Sequence, residues 1–271
     1  MTFKPSIKSF FFPMGTCLLV LVEVSVCAVL TLPGENMRVP TFGHAVFRSG
    51  LGADAKAGAS LGSVMGRVKF EGQAPKSTHI NMGSDPSCPK TLSPGTEEFV
   101  LGNNGALGNV VVYVSEGLGD STFDVPAEPA VVEQKGCMYQ PHVLALRANQ
   151  KMRVVNHDST MHNIHPLPAN NREWNKAQPS GTTLEESFAR EEVAIPVKCN
   201  VHPWMRSYIA VFRHPFFAVT SKDGTFDLRN LPPGDYTIEA WHEKLGSMKQ
   251  KVTITAGQSK GLDFVFKATV R

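Results

Sequence analysis

From residue 63 onward, apolar side chains come in short runs bounded by Gly, Asn, Asp and Pro. The runs fall at 63–70, 110–115, 130–133, 142–147, 152–156, 184–188, 193–198 and 208–212. Turn chemistry lies between them, as in Gly102-Asn103-Asn104-Gly105, Gly117-Leu118-Gly119-Asp120 and Ala148-Asn149-Gln150. No stretch after the N-terminal region carries an apolar period of 3.6 residues. Evenly spaced short strands of this kind predict an all-β sandwich. The Pro-rich segment 85–104 lacks a pattern and is expected to be a long loop.

The texture changes after Arg213. Asp223-Gly224 and Pro232-Pro233-Gly234 punctuate alternating strands, and further strands are expected at 250–255 and 262–267. Residues 214–271 therefore predict a small β-sandwich-like module after a larger domain at 63–213.

Ahead of these strands, Lys4 and Lys8 precede an apolar stretch at 10–32. That order predicts a hydrophobic leader helix over 1–32, either an export signal or an anchor attaching the chain to a membrane. Glu23 interrupts the stretch and no Ala-x-Ala site follows it. Residues 33–62 are rich in Gly, Ala and Ser and predict a flexible linker. The expected location is periplasmic or extracellular.

Composition adds exclusions. Among 271 residues the formal net charge is +3, with 42% hydrophobic and 19% charged residues. No long basic run is present, so nucleic acid is not an expected partner. Oligomeric state is not legible.

Five cysteines are present, two of them (Cys17 and Cys27) in the leader. In an oxidising compartment the remaining three leave one pair and one thiol. The expected disulfide joins Cys88 and Cys137, and Cys199 stays free. An exported free thiol is a liability unless something such as a metal occupies it.

The chemistry concentrates in Lys198-Cys199-Asn200-Val201-His202-Pro203-Trp204-Met205, between two β-like runs. It places a thiolate, an imidazole and a thioether at spacing Cys-x-x-His-x-x-Met. Soft sulfur donors beside imidazole suit copper, and one thiolate with two imidazoles and a weak thioether is the electron-transfer set. The second imidazole is sought in Met161-His162-Asn163-Ile164-His165. If that segment is extended, His162 and Ile164 share one face, and Asn163 and His165 the other. His162 is then the inward ligand and His165 the alternative. Asn163 is expected to tie the two loops together beside Cys199 and tune the metal.

Other readings stand beside this one. Cys199-x-x-His202 is also half a zinc site, for which Cys88 and Cys137 would be the remaining ligands. Cys137 and His142 form a second metal cluster or, more plainly, a disulfide cysteine and a buried histidine. His157-Asp158 reads as a surface turn, and Trp241-His242-Glu243 as rim packing. Pro203, Trp204, Pro166 and Leu167 form an apolar patch at the edge of the metal loop.

The motif Cys199-x-x-His202-x-x-Met205, with His162-Asn163 far upstream, resembles the cupredoxins, the small blue copper proteins. The likeness covers 63–213, with its specific motifs in 154–213. It implies a Greek-key β-sandwich and one copper held by His162, Cys199, His202 and Met205. It also implies electron exchange with a redox protein partner, here through an exposed edge of His202, and no enzymatic activity. The N-terminal part with Cys88 and Cys137 is larger than that family needs. The tail, with Asp223-Gly224-Thr225-Phe226 and Leu231-Pro232-Pro233-Gly234-Asp235-Tyr236, resembles carboxypeptidase regulatory-like domains, which are non-catalytic. The alternatives are a non-redox binding or structural module, and a copper carrier or copper-enzyme component that recruits His165 or His142.

Overall fold

The computed structural model describes residues 60–89 and 95–268. The leader expected at 1–32, and residues 33–59 of the linker expected at 33–62, fall outside the described residues, while Gly62 already belongs to the first strand. The alternating runs become seventeen strands. The first nine are β1 (Gly62–Glu71), β2 (Val111–Glu116), β3 (Ala130–Gln134), β4 (Tyr139–Gln140), β5 (Val143–Arg147), β6 (Met152–Asn156), β7 (His162–Pro166), β8 (Lys176–Gln178) and β9 (Thr183–Glu186). Then come β10 (Glu192–Lys198), β11 (Arg206–Phe212), β12 (Phe217–Val219), β13 (Thr225–Leu231), β14 (Gly234–His242), β15 (Gly246–Ile254), β16 (Ser259–Gly261) and β17 (Phe264–Lys267). A single 3-10 turn, Asn103–Gly105, is the only helical element among the described residues. No helix among them is long and apolar enough to cross a membrane. The protein is all-β, as the pattern predicts.

The first sandwich faces the sheet β5-β11-β10-β7-β8 against β4-β3-β6-β9. Val132, Leu146, Met152, Val154, Ile164, Ile195, Val197, Ile209 and Val211 fill the space between them. Each sits at every second position of its strand, so one face of each sheet is apolar. The second sandwich faces β13-β1-β16, with β17 also on β1, against β12-β2-β14-β15. Val64, Val68, Val112, Val114, Leu228, Ile238, Val252, Phe264 and Phe266 form its core.

This arrangement redraws the expected boundary at 213/214. β1 and β2, read from sequence as part of the 63–213 domain, pair with tail strands instead. β1 lies between β13 and β16, and β2 between β12 and β14. Each supplies an interior strand to one sheet of the second sandwich, whose tail strands alone would leave both sheets unfilled.

Strands β2 and β11 are each buried on both faces. In β2, Val112 and Val114 face the second core, while Val111 and Tyr113 face a third cluster with Val143, Ala210 and Phe212. In β11, Ile209 and Val211 face the first core, and Ala210 and Phe212 the third cluster. An unbroken apolar run is what a doubly covered strand needs, and Val110-Val111-Val112-Tyr113-Val114 and Tyr208-Ile209-Ala210-Val211-Phe212 are such runs.

Candidate metal centre

Strand order brings the two remote segments together. β10 is hydrogen-bonded to β7 on one side and β11 on the other, with Lys198 opposite both His165 and Arg206. The loop between β10 and β11 therefore begins beside β7. It is closed by its own backbone: Cys199 N–H donates to Met205 O (3.1 Å) and Met205 N–H to His202 O (2.9 Å). Tyr139 clamps the stems, its hydroxyl lying 2.5 Å from the carbonyl oxygen of Asn163 and 3.1 Å from that of Lys198. Burial, reinforced by the neighbouring Cys199 thiol, pushes the Tyr139 phenol far up, so it stays a neutral donor.

The expected alternation holds on β7. His162 and Ile164 are fully buried, while His165 is partly exposed. His165 is engaged elsewhere, with Nδ1 3.2 Å from Asn200 Oδ1 and Nε2 2.7 Å from Glu173. His162, Cys199 and His202 each offer a donor atom, all within 4.8 Å of one another. The two Nδ1 atoms are 2.9 Å apart, and Cys199 Sγ is 3.9 Å from Nδ1 of His202. Met205 closes the same loop and is fully buried in the same core cluster. Asn163 bridges the two loops. Its Oδ1 accepts the Asn200 N–H (2.6 Å) and lies 3.3 Å from the Cys199 thiol.

Two residues near this cluster were not read as belonging to it. Nε2 of His162 lies 2.9 Å from Asp158, and Nε2 of His202 lies 2.8 Å from Asp85. Each imidazole thus turns Nδ1 inward and gives Nε2 to a carboxylate. A proton held on Nε2 leaves the Nδ1 lone pair free for a metal. Asp158, taken from sequence for a surface turn, also accepts the N–H groups of Gly136 (2.7 Å) and Cys137 (2.9 Å). Gly136 and Cys137 both have positive φ (65° and 56°), which aims consecutive N–H groups at one anion. Asp85 accepts the Ser87 N–H (2.7 Å) and the Thr160 hydroxyl (3.0 Å). The His202 hydrogen bond, then that backbone N–H, hold its carboxyl down at about 2. Burial lowers His162 against the opposing pull of Asp158.

The disulfide joins the turn that carries Asp85 to the turn whose N–H groups hold Asp158. Cys88 and Cys137 are bonded. Cys88 N–H donates to Asp85 O (3.2 Å), and Cys137 N–H donates to Asp158. The cystine sulfurs lie within 4.8 Å of a ring nitrogen of His202. Trp204 completes this wall, its Nε1–H donating to Cys137 O (3.1 Å) and its ring 5.0 Å from that of His202. His202 is consequently only 1% exposed. The expected exposed edge of His202 does not exist: Asp85, Trp204 and the cystine cover it.

The other flagged residues lie apart. His142 Nε2 sits 2.5 Å from Glu243 between the two sandwiches, and Trp241 packs on Tyr208. His157 reaches Glu133 at the surface (3.3 Å).

Residues 209–267 match the family model of the carboxypeptidase regulatory-like domain. Among curated proteins, none matches the chain. Similar solved structures include cupredoxins and a Cu-containing nitrite reductase. The Cu-containing nitrite reductase of Thermus scotoductus SA-01 is 18% identical over 35% of this chain and 26% of its own, with a TM-score of 0.30. The match thus spans about a quarter of that enzyme. A purple cupredoxin from Nitrosopumilus maritimus is 23% identical over 30% of this chain and 98% of its own, TM-score 0.27. A Cu(I) mutant form of amicyanin is 18% identical over 37% of this chain and 97% of its own, TM-score 0.28.

Proposed function

We propose that the protein is an exported electron carrier that binds one copper through His162, Cys199, His202 and Met205. The observation that carries this reading is the buried convergence of two Nδ1 atoms and one thiol, each imidazole backed by its own carboxylate. The donor set fits the metal: a soft thiolate, two neutral imidazoles and a thioether on the same short loop. Copper held there would supply a one-electron couple between Cu(I) and Cu(II).

The chain's own residues do the rest. Asp158 and Asp85 hold the ring orientations and tautomers through Nε2. Asn163 and Tyr139 bind the two ligand segments to one another, so the donors are fixed before a metal arrives. Burial keeps water from the thiol. Four protein donors leave no open position for a substrate, which argues for a carrier rather than an enzyme. The zinc alternative loses its extra thiolates, because Cys88 and Cys137 are consumed in a disulfide.

The test is optical. Copper-loaded protein should show an intense visible Cys-to-copper absorption that Cys199→Ser abolishes. A colourless protein that retains zinc in preference to copper would exclude the reading.

A further inference from the structure

An electron carrier must bring its metal near a partner, because tunnelling falls steeply with distance. The usual candidate edge, the outer face of a ligand imidazole, is closed here. Nε2 of His162 and of His202 are both committed to carboxylates, and both rings are buried.

The remaining approach is from the outer side of the strand end that carries Cys199. A groove of about 550 Å³ borders Cys199 and is lined by Leu167, Lys198, Pro203, Arg206 and Tyr208, among others. The charged side chains in its lining are Lys198 and Arg206, both cationic and exposed. They are direct cross-strand partners at the end of the β10–β11 stem. Like charges directly opposite in an antiparallel pair are unfavourable. Among the described residues neither is relieved by an ion pair; Arg206 donates Nε–H to Pro203 O (3.3 Å). The carboxylate of Glu173, beyond β7, is bonded to His165 instead. Two cations without an ion pair among the described residues are therefore held side by side at a groove whose lining includes the buried ligand residue Cys199.

We propose that this groove is the docking site for an acidic redox protein. The partner's carboxylates pair with Lys198 and Arg206, and the electron passes by way of Cys199. This deepens the electron-carrier reading and rests on it. In each encounter the reduced, copper-loaded protein gives one electron to the partner's cofactor, and no bond forms or breaks. Opposite charges at the contact raise the association rate and make it fall with ionic strength.

The test uses the full chain and two probes, cytochrome c made acidic by succinylation of its lysines and unmodified basic cytochrome c. Stopped-flow mixing of the reduced protein with each ferric probe should give a faster, salt-sensitive rate with the acidic one. Lys198→Glu/Arg206→Glu should lower that rate about tenfold or more at low salt, with the visible absorption band unchanged. Lys251→Glu/Lys260→Glu, on the second sandwich, should leave it within about twofold. Independently, titrating the metal-free, isotope-labelled protein with the acidic probe should shift backbone resonances at 198–200 and 203–208. Shifts centred on the exposed Met161 and Val201, or on a second copy of this chain, would overturn the proposal. So would an unchanged rate in the double variant with its band intact. A protein that takes up no copper would sink the electron-carrier reading instead, while the metal-free titration still decides whether the groove is a docking surface.

Discussion

The Asp85 carboxylate accepts a 2.8 Å hydrogen bond from Nε2 of His202, 117 residues further along the chain. Asp85 sits in a turn that offers no repeating pattern, and His202 in a loop between two strands. Their contact makes the Pro-rich segment part of the candidate metal centre rather than a passive connection.

Removing either acid should weaken metal binding without erasing the spectrum. Asp85→Ala and Asp158→Ala leave all four donors but release one ring each. A copper affinity about 10- to 100-fold lower is expected for each, measured by competition with a chelator of known affinity. Wild-type affinity in both variants would mean that the carboxylates have no hold on the ligands.

The two histidines of β7 should separate cleanly. His162→Ala should lose the visible band, whereas His165→Ala should keep it, since His165 is turned toward Glu173 and Asn200. Absorption spectra of the two copper-loaded variants decide the matter. The opposite outcome would reverse the inward and outward faces of the strand.

Opening the cystine should affect stability and affinity together. Cys88 and Cys137 are separated by 49 positions, and a crosslink of that span is worth roughly 3–4 kcal/mol on chain-entropy grounds. Cys88→Ala/Cys137→Ala is expected to lower the urea midpoint accordingly. Because the cystine joins the turns holding Asp85 and Asp158, copper affinity should also fall. A loss of stability with affinity retained would confine the bridge to a purely mechanical role.

Acid should destabilise the second sandwich and its junction with the first. Burial pushes both His214 and His242 down to about 4. Each accepts a backbone N–H at Nδ1, from Phe216 and Lys244 respectively (both 3.2 Å), and so is held neutral. The unfolded chain binds a proton near pH 6.5, above the folded value. It therefore takes up more protons between about pH 6.5 and 4, and folding stability falls as pH drops through that window. The loss from pH 7 to 5 should be on the order of 1 kcal/mol per histidine, read from urea denaturation of metal-free protein. His242→Gln should flatten that slope; an unaltered slope would remove His242 from the account.

Of the strands flanking the candidate metal loop, β11 was legible because burial on both faces writes an unbroken apolar run, and β10 because burial of one face writes a two-residue period into the sequence. The same period separated His162 from His165. The short spacing from Cys199 to Met205 left little freedom in the loop, so its donors were legible as a set. Cysteine count called for one pair and one thiol; leaving the thiol to the ligand loop paired Cys88 with Cys137, and these two are bonded. Asp85 and Asp158 carried no comparable mark. Asp85 lies 117 residues from its imidazole, which leaves no spacing to read, and an Asp beside Pro or His looks like ordinary turn chemistry. The proposed disulfide was the available clue, since it brings Asp85 and residue 137 to one wall. Strand membership was equally hidden: 110–114 is apolar throughout, so it announces burial on two faces without naming the sheet.

By itself, then, the sequence determined the β class, the local loop with its donors, and which side of β7 faces inward. Each depends on neighbours a few residues apart, whose geometry the backbone imposes. Tertiary structure alone decided that β1 and β2 complete the tail's sandwich, that Asp85 and Asp158 back the two imidazoles, and that His202 is covered while a groove borders Cys199. Those outcomes depend on which distant surfaces meet, and chain separation places no limit on that once the strands have packed.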